Sequence, residues 1–365
     1  MLSKPLSYLS LSTVLQHMEA NLRFTLSIRL PTVQNLEKRI PLKIQRLAFD
    51  NALVKVNDTI YKLEVCMDYF QNEQPKTDFF NYDVYYDAFP DIRHAYVLLP
   101  GDVGSMSRDE LLVLNRVQPP IEEEVLPPNF GIVFTKTSPR VSVSERVIYN
   151  KKLNVAEKYL ISKLLGDRDM NSVNVKRLEI NKTPQFGDAI FLRLPPGVKY
   201  RCQELKIVFG PIFPFLDLFI DPSSYPLNEL VAPNNQDIMK HPTFTSAERL
   251  TITKDNGNYP HINAYLELTN KVVDFSDQFF QFDEFRMLIR KWLTNEKPPG
   301  TCYKFKVNKG EVFDSLATWA KAQHNKVEIG ENFISIPMNN SSSMVQLAWT
   351  LTPPEAHWSL EITVV

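Results

Sequence analysis

Six histidines, His17, His94, His241, His261, His324 and His357, and three cysteines, Cys66, Cys202 and Cys302, are the side chains best suited to metal binding or nucleophilic attack. Their spacing supports neither. Metal ligands converge in space, and in sequence they commonly stand as pairs about two to five residues apart. Here every histidine is isolated, and neither CxxC nor HExxH occurs. Of the 11 glycines, none falls in GxGxxG or GxxxxGK[ST], so no loop is built to cradle phosphates. There is no GxSxG elbow for a serine nucleophile. The sequence therefore implies no metal, no cofactor and no enzymatic activity. An enzyme of an unfamiliar class would need titratable groups that only the fold brings together in a pocket.

What remains is the chemistry of recognition. Leu11, Val14, Leu15 and Met18 fall at i, i+3, i+4 and i+7, one apolar face of a helix. That is the anchor spacing of helix-in-groove docking, and equally that of a helix packed on its own chain. Three other stretches carry recognition chemistry beside a plainer reading. "LLPGDVGSMSRDE" is either a ligand-gripping loop or a Pro-Gly turn. "FRMLIRKWL" sets Arg286, Arg290 and Lys291 beside an apolar face, for an acidic partner or for solvent. "FFNYDVYYDAF" is either a ring-rich contact surface or the core of a sheet.

Charge and composition narrow the partners. Forty-one basic residues oppose 42 acidic ones, and no dense Lys/Arg stripe exists, so nucleic acid is not expected. No stretch approaches the roughly 18–20 apolar residues of a membrane span. Ser7, Ser10, Ser12 and Thr13 interrupt any signal-peptide core. Three dispersed cysteines make no disulfide framework. Sequons at Asn57, Asn181, Asn339 and Asn340 matter only in a secreted chain. A cytoplasmic or nuclear protein is expected.

The elements that position these residues follow from periodicity. Residues 1–40 read as three short helices: Asn21 is placed to cap the second, holding Leu22 and Leu26, and Thr32 the third, with Val33 and Leu36 inward. Such a segment is too small to fold alone and must pack on the chain, on another protein, or on both. Residues 41–135 read as strand-rich. Leu53, Val54 and Val56, then Asn57-Asp58, then Ile60, Leu63 and Val65 predict a hairpin, and "QPPIEEEVLPPNF" predicts a rigid Pro-rich connector. Residues 136–365 alternate helix and strand. "NVAEKYLISKLLGDR" places Ala156, Tyr159, Leu160, Lys163 and Leu164 on one side. "FDEFRMLIRKWL" puts Phe282, Phe285, Ile289, Trp292 and Leu293 on one face, and "EVFDSLATWAKAQH" turns Val312, Leu316, Trp319 and Ala320 inward. "VKRLEI", "CQELKIVFG", "AERLTIT", "INAYLELTNKVV" and "TCYKFKV" read as strands, and "KVEIGENFISI", "MVQLAWTL" and "SLEITVV" close the chain as antiparallel strands. The helix-then-"xxLxI" phrase suggests a degenerate leucine-rich-repeat-like unit. Its copies "KRLEI" and "ERLTI" lie 72 residues apart, without the period of about 20–29 of a regular solenoid. The fold class is α+β.

The order Pro5-Leu6, Tyr8, Leu11, Val14-Leu15, Met18-Glu19, Arg23, Arg29, Pro31, Glu37-Lys38 and Pro41-Leu42, followed by "VNDTIYKLEV", "LPGDVG", "NVAEKYLISKLLGDR" and "FRMLIRKWL", resembles the nematode-expanded F-box C family. The resemblance implies an F-box-like N-terminus, a three-helix module of roughly 40 residues, followed by an F-box-associated domain of no settled function. It further implies docking onto the Skp-type adaptor of a cullin–RING ubiquitin ligase, with the downstream domain holding a target protein. The residues of this chain that match the module's pattern are Pro5, Leu6, Leu11, Val14, Leu15, Met18 and Leu26. The competing expectation is an interaction module without ubiquitin transfer, in which the N-terminal helices only complete the fold.

Overall fold

Three helices open the described chain: α1 (Tyr8–His17), α2 (Ala20–Arg29) and α3 (Pro31–Arg39). The computed structural model describes residues 8–67, 98–105, 130–148, 153–168, 173–182, 190–254, 262–295, 297–307, 309–324, 326–338, 342–352 and 357–365. Pro5, Leu6, the ring-rich "FFNYDVYYDAF", the helix expected at "SRDELLVLNRV" and nearly all of the Pro-rich connector lie outside these residues. The chain divides into two units, Met1–Gln203 with Pro211–Ser224, and Glu204–Gly210 with Tyr225–Val365.

In the first unit, β1 (Leu42–Asp50), β2 (Leu53–Val56) and β3 (Thr59–Met67) form a meander. The expected hairpin pairs Val56 with Thr59 and Leu53 with Lys62. Asn57 takes the left-handed φ of +53° that a tight turn needs, and Asn is one of the few side chains that tolerates it. Its Oδ1 accepts the backbone N–H groups of Gln45 and Arg46, which ties the turn to β1. After β4 (Val103–Gly104), the strands β5 (Phe130–Thr137) and β6 (Ser142–Ile148) continue the sheet antiparallel from β3. The helix α4 (Leu153–Leu165) carries the chain to β7 (Val173–Ile180), which lies parallel to β1. β8 (Phe191–Leu192) pairs with β4, β9 (Tyr200–Ile207) is divided between the units, and α5 (Leu216–Phe219) follows.

The side of α4 that carries Ala156, Tyr159, Leu160, Lys163 and Leu164 is not, as a whole, its buried side. Glu157, Lys158, Ile161, Leu164 and Leu165 are buried, whereas Tyr159 and Lys163 are exposed. The reason is a pair of buried charges that hydropathy counts as outward. Lys182 donates to Glu157 at 2.6 Å. Lys158 donates to Asp102 at 2.6 Å and to the Leu194 carbonyl. Arg193 adds a bond of 2.7 Å to the second Asp102 oxygen, so the Asp102 carboxylate has a cation on each side. "LPGDVG" is thus a structural lock. Gly101 has φ +88°, and a Cβ there would lie 2.5 Å from Pro196 N, so no other residue fits the turn.

In the second unit, the second half of β9, β10 (Glu229–Pro233), β11 (Arg249–Thr253), β12 (Val272–Phe279) and β13 (Cys302–Val307) run parallel. The connections include α6 (Pro242–Ser246), α7 (Ile262–Leu266) and α8 (Phe282–Thr294). After α9 (Lys309–Gln323), β14 (Glu328–Ile329), β15 (Phe333–Pro337), β16 (Met344–Thr352) and β17 (His357–Val364) pair antiparallel, and β17 joins β13. The architecture is mixed α+β. "INAYLELTNKVV" is not one strand: its first half is α7, and β12 begins only at Val272. Ile262 and Tyr265, three apart, bury one helical face, and the Tyr265 hydroxyl donates to Asn234 at 2.7 Å.

The core of this unit is aromatic. Phe275 stacks on Phe305 at 5.0 Å, Phe285 meets Phe305 edge-on at 5.1 Å, and Trp292 meets Tyr303 edge-on at 4.8 Å. Phe285, Ile289, Trp292 and Leu293 of α8 are buried, and Val312, Leu316, Trp319 and Ala320 of α9 likewise. Arg286 pairs with Asp283 at 2.9 Å, Arg290 lies over the Trp319 ring and Lys291 reaches Glu267. The basic groups of α8 therefore serve local contacts.

Candidate docking surface

The N-terminal helices start where backbone donors are satisfied. The Glu19 carboxylate accepts the N–H groups of Asn21 at 2.7 Å and Leu22 at 3.2 Å, so Glu19 and not Asn21 caps α2. α3 begins with Pro31 at its first turn, ahead of Thr32, because proline's fixed φ suits that position and its missing N–H costs nothing there. Asn21 instead reaches outward. Its Nδ2 donates to the Val56 carbonyl, and its Oδ1 accepts from the Tyr61 hydroxyl at 2.8 Å. Asn57 Nδ2 donates to Glu19 at 2.6 Å. α2 is thereby fastened to the β2–β3 hairpin, and the amide of the Asn57 sequon is occupied within the fold.

A second fastening is ionic and buried. Glu37 Oε1 accepts from Arg23 Nε at 3.0 Å and from Arg168 Nη2 at 2.7 Å. Arg23 also donates to the carbonyls of Glu37, Ile40 and Pro41, which end α3. Lys38 donates to the Gly166 and Lys163 carbonyls at the end of α4, at 2.7 and 3.2 Å. Arg23, Glu37, Lys38 and Arg168 are all buried. Burial pulls the Arg23 guanidinium below its ordinary value while Glu37 holds it up. Burial, aided by the Arg168 charge, pulls the Lys38 ammonium down to about 8.

This shift sets a pH dependence. Between pH 8 and 10.5 the unfolded Lys38 keeps a proton that the folded one has released, so stability rises with pH through that window, by about 3 kcal/mol at most. From about pH 9 the buried Cys202 thiol, which ionises more readily once unfolded, opposes that rise, and above about pH 10 the sign reverses. Burial raises the phenols of Tyr61, Tyr200, Tyr265 and Tyr303, and these ionise more readily once unfolded. Denaturation midpoints are expected to climb from about pH 7.5 to about pH 9, level off, and fall above about pH 10, with the climb flattened in Lys38→Met.

The predicted docking stripe divides. Leu15 is fully buried in a cluster with Val33, Leu36 and Ile40, and Leu11, Met18 and Leu26 are partly buried against it. Only Val14 of the stripe is exposed, at 43%. Pro5 and Leu6 lie outside the described residues. Other large apolar side chains of these helices also face solvent: Leu9 at 76%, Leu22 at 60% and Ile28 at 62%, with Tyr8 and Leu30. The spacing rule that selects Leu11–Met18 passes over them, because they stand on other sides of the helices. The signal present in the sequence is a second apolar series in α2, where Leu22 and Leu26 alternate with Phe24 and Ile28.

Among the described residues no group of three His, Cys, Asp or Glu side chains could hold a metal ion, and no helix is long and apolar enough to cross a membrane. Cys202 is buried beside Ser224, and burial pushes its thiol up to about 12, away from the reactive thiolate.

Residues 152–309 match the family model of a domain of unknown function, DUF3557. The match runs from the start of α4 to the start of α9 and does not reach α1–α3. No curated protein and no solved structure matches the chain.

Proposed function

We propose that the chain is a non-enzymatic protein-interaction protein of the cytoplasm or nucleus, the substrate-recognition subunit of a Skp–cullin–F-box type ubiquitin ligase of the F-box C kind. In this reading α1–α3 dock on the Skp-type adaptor and the rest of the chain holds a target protein. The observation that carries it is the set of exposed apolar side chains, Leu9 and Val14 on α1, which packs through Leu15, and Leu22 and Ile28 on the fastened α2. Each such side chain gains about 1.5–3 kcal/mol when a partner covers it. A surface held by buried bonds loses little further entropy on docking. Several residues carrying the family resemblance, Arg23, Glu37 and Lys38, are those that hold the helices in place.

The second reading, a stand-alone protein-binding module, is favoured by that same buried fastening, since α1–α3 also complete the first unit. Co-purification with the Skp-type adaptor separates the two. Wild type is expected to retain the adaptor, and the double variant Leu9→Asp/Ile28→Asp to lose roughly tenfold or more in affinity with an unchanged melting temperature. Both positions are exposed, so the substitutions spare the core, which Leu15→Asp would not. Absence of adaptor from the wild type, or full retention by the variant, sinks the ligase reading.

A further inference from the structure

The bonds that hold α1–α3 cross into α4, where the family-model match begins. Arg168, just past the end of α4, donates to the Glu37 carboxylate at 2.7 Å and to the Glu37 carbonyl at 3.3 Å. In the other direction, Lys38 of α3 donates to the Gly166 and Lys163 carbonyls at the end of α4. We infer that this exchange of buried cations makes α3 and α4 open and close as one unit, so that whatever seats on α1–α3 also steadies the start of the matched region.

The balance of charge gives the reason. The buried cations Arg23, Lys38 and Arg168 share the one buried carboxylate of Glu37. The remaining compensation comes from carbonyls at the C-terminal ends of two helices, where peptide dipoles leave partial negative charge. The end of α3 presents the Glu37, Ile40 and Pro41 carbonyls to Arg23. The end of α4 presents those of Lys163 and Gly166 to Lys38. If α3 lifts away alone, Arg168 loses its carboxylate and the end of α4 loses Lys38. If α4 lifts away alone, Lys38 loses both acceptors. An interior charge stripped of its partners is strongly unfavourable, so the half-open states are the ones avoided.

The backbone adds to this. α3 ends at Arg39 and β1 begins at Leu42, and Arg23 holds the carbonyls of both residues between them. The strands that follow the two helices, β1 and β7, pair in parallel from Leu42 with Val173 to Phe49 with Ile180. Coupling between two such segments is reciprocal: a partner on α1–α3 protects the end of α4, and a change at the end of α4 alters the partner's affinity. That consequence rests on the docking reading above, whereas the joint opening does not.

Native-state hydrogen exchange of the full chain without a partner tests the joint opening. The slowest amides of α3 and of α4 are expected to have protection factors equal within about threefold. Leu15→Ala acts on the cluster with Val33, Leu36 and Ile40, and it is expected to lower both sets by the same factor. Val33→Ala is the milder form if Leu15→Ala does not fold. Lys38→Met/Arg168→Met removes the crossing bonds and leaves Glu37 paired with Arg23. In that double variant α3 is expected to exchange at least about tenfold faster than α4. Three results overturn the proposal: a wild type in which α3 already exchanges tenfold faster, a core substitution that lowers α3 alone, and a double variant whose two sets still agree. Adding the Skp-type adaptor is a separate arm. Bound adaptor is expected to raise both sets, and a rise confined to α3 counts against the coupling. If the adaptor does not bind, the docking reading falls and the exchange result without it still decides the joint opening.

Discussion

Glu37→Ala is expected to destabilise the first unit by about 3–5 kcal/mol, the cost of leaving buried charges without their counter-ion. The Glu37 carboxylate is the anion shared by Arg23 and Arg168, whose guanidiniums have almost no contact with solvent. Without it, two guanidiniums and the nearby Lys38 ammonium remain buried together, and neither arginine can shed its proton. Urea denaturation of wild type and variant measures the loss. A second substitution identifies the mechanism. Arg168→Met removes one orphaned charge, so Glu37→Ala/Arg168→Met is expected to be more stable than Glu37→Ala alone. If the double variant is instead weaker by the sum of the two single losses, the residues are not acting as one cluster.

Trp292→Ala is expected to cost about 3–5 kcal/mol in the second unit, from lost burial and from the cavity left behind. The ring is fully buried and meets Tyr303 edge-on in the aromatic core that joins α8 to β12 and β13. Trp292 Nε1 is buried with no hydrogen-bond partner among the described residues, so Trp292→Phe keeps a ring in place and removes an unsatisfied donor. The expected order of thermal stability is wild type, then Trp292→Phe close behind, then Trp292→Ala far below. An alanine variant within about 1 kcal/mol of wild type would show that the core collapses around the gap.

The elements that could be read in advance are those whose cause is local. The β2–β3 hairpin follows from strand residues on either side of Asn57-Asp58, and the asparagine does take the left-handed turn position. The inward faces of α8 and α9 follow from apolar residues repeating three and four apart. Where reading failed, the deciding partner lay far along the chain. The inward face of α4 carries Glu157 and Lys158 because Lys182 and Asp102 meet them. Hydropathy assigns both outward, since a charge is buried only when a counter-charge pays its desolvation. The break between α7 and β12 was hidden for a similar reason. Its apolar residues suit a strand, and the Tyr265 bonds to Asn234 and Gln278 accompany the helix.

The N-terminal helices show the division most clearly. The sequence by itself determined that residues 8–39 are helical, that they are too few to fold alone, and that no known catalytic motif accompanies them. Only the tertiary structure decided that Leu15 turns inward onto α3 while Val14, its neighbour on the same predicted stripe, stays in water. It also decided that the charged residues Arg23, Glu37 and Lys38 lie in the interior. The reason is physical. Helical periodicity is a property of the backbone within a few residues, whereas burial depends on what stands opposite, and here that includes Arg168 and the end of α4, more than 120 residues away.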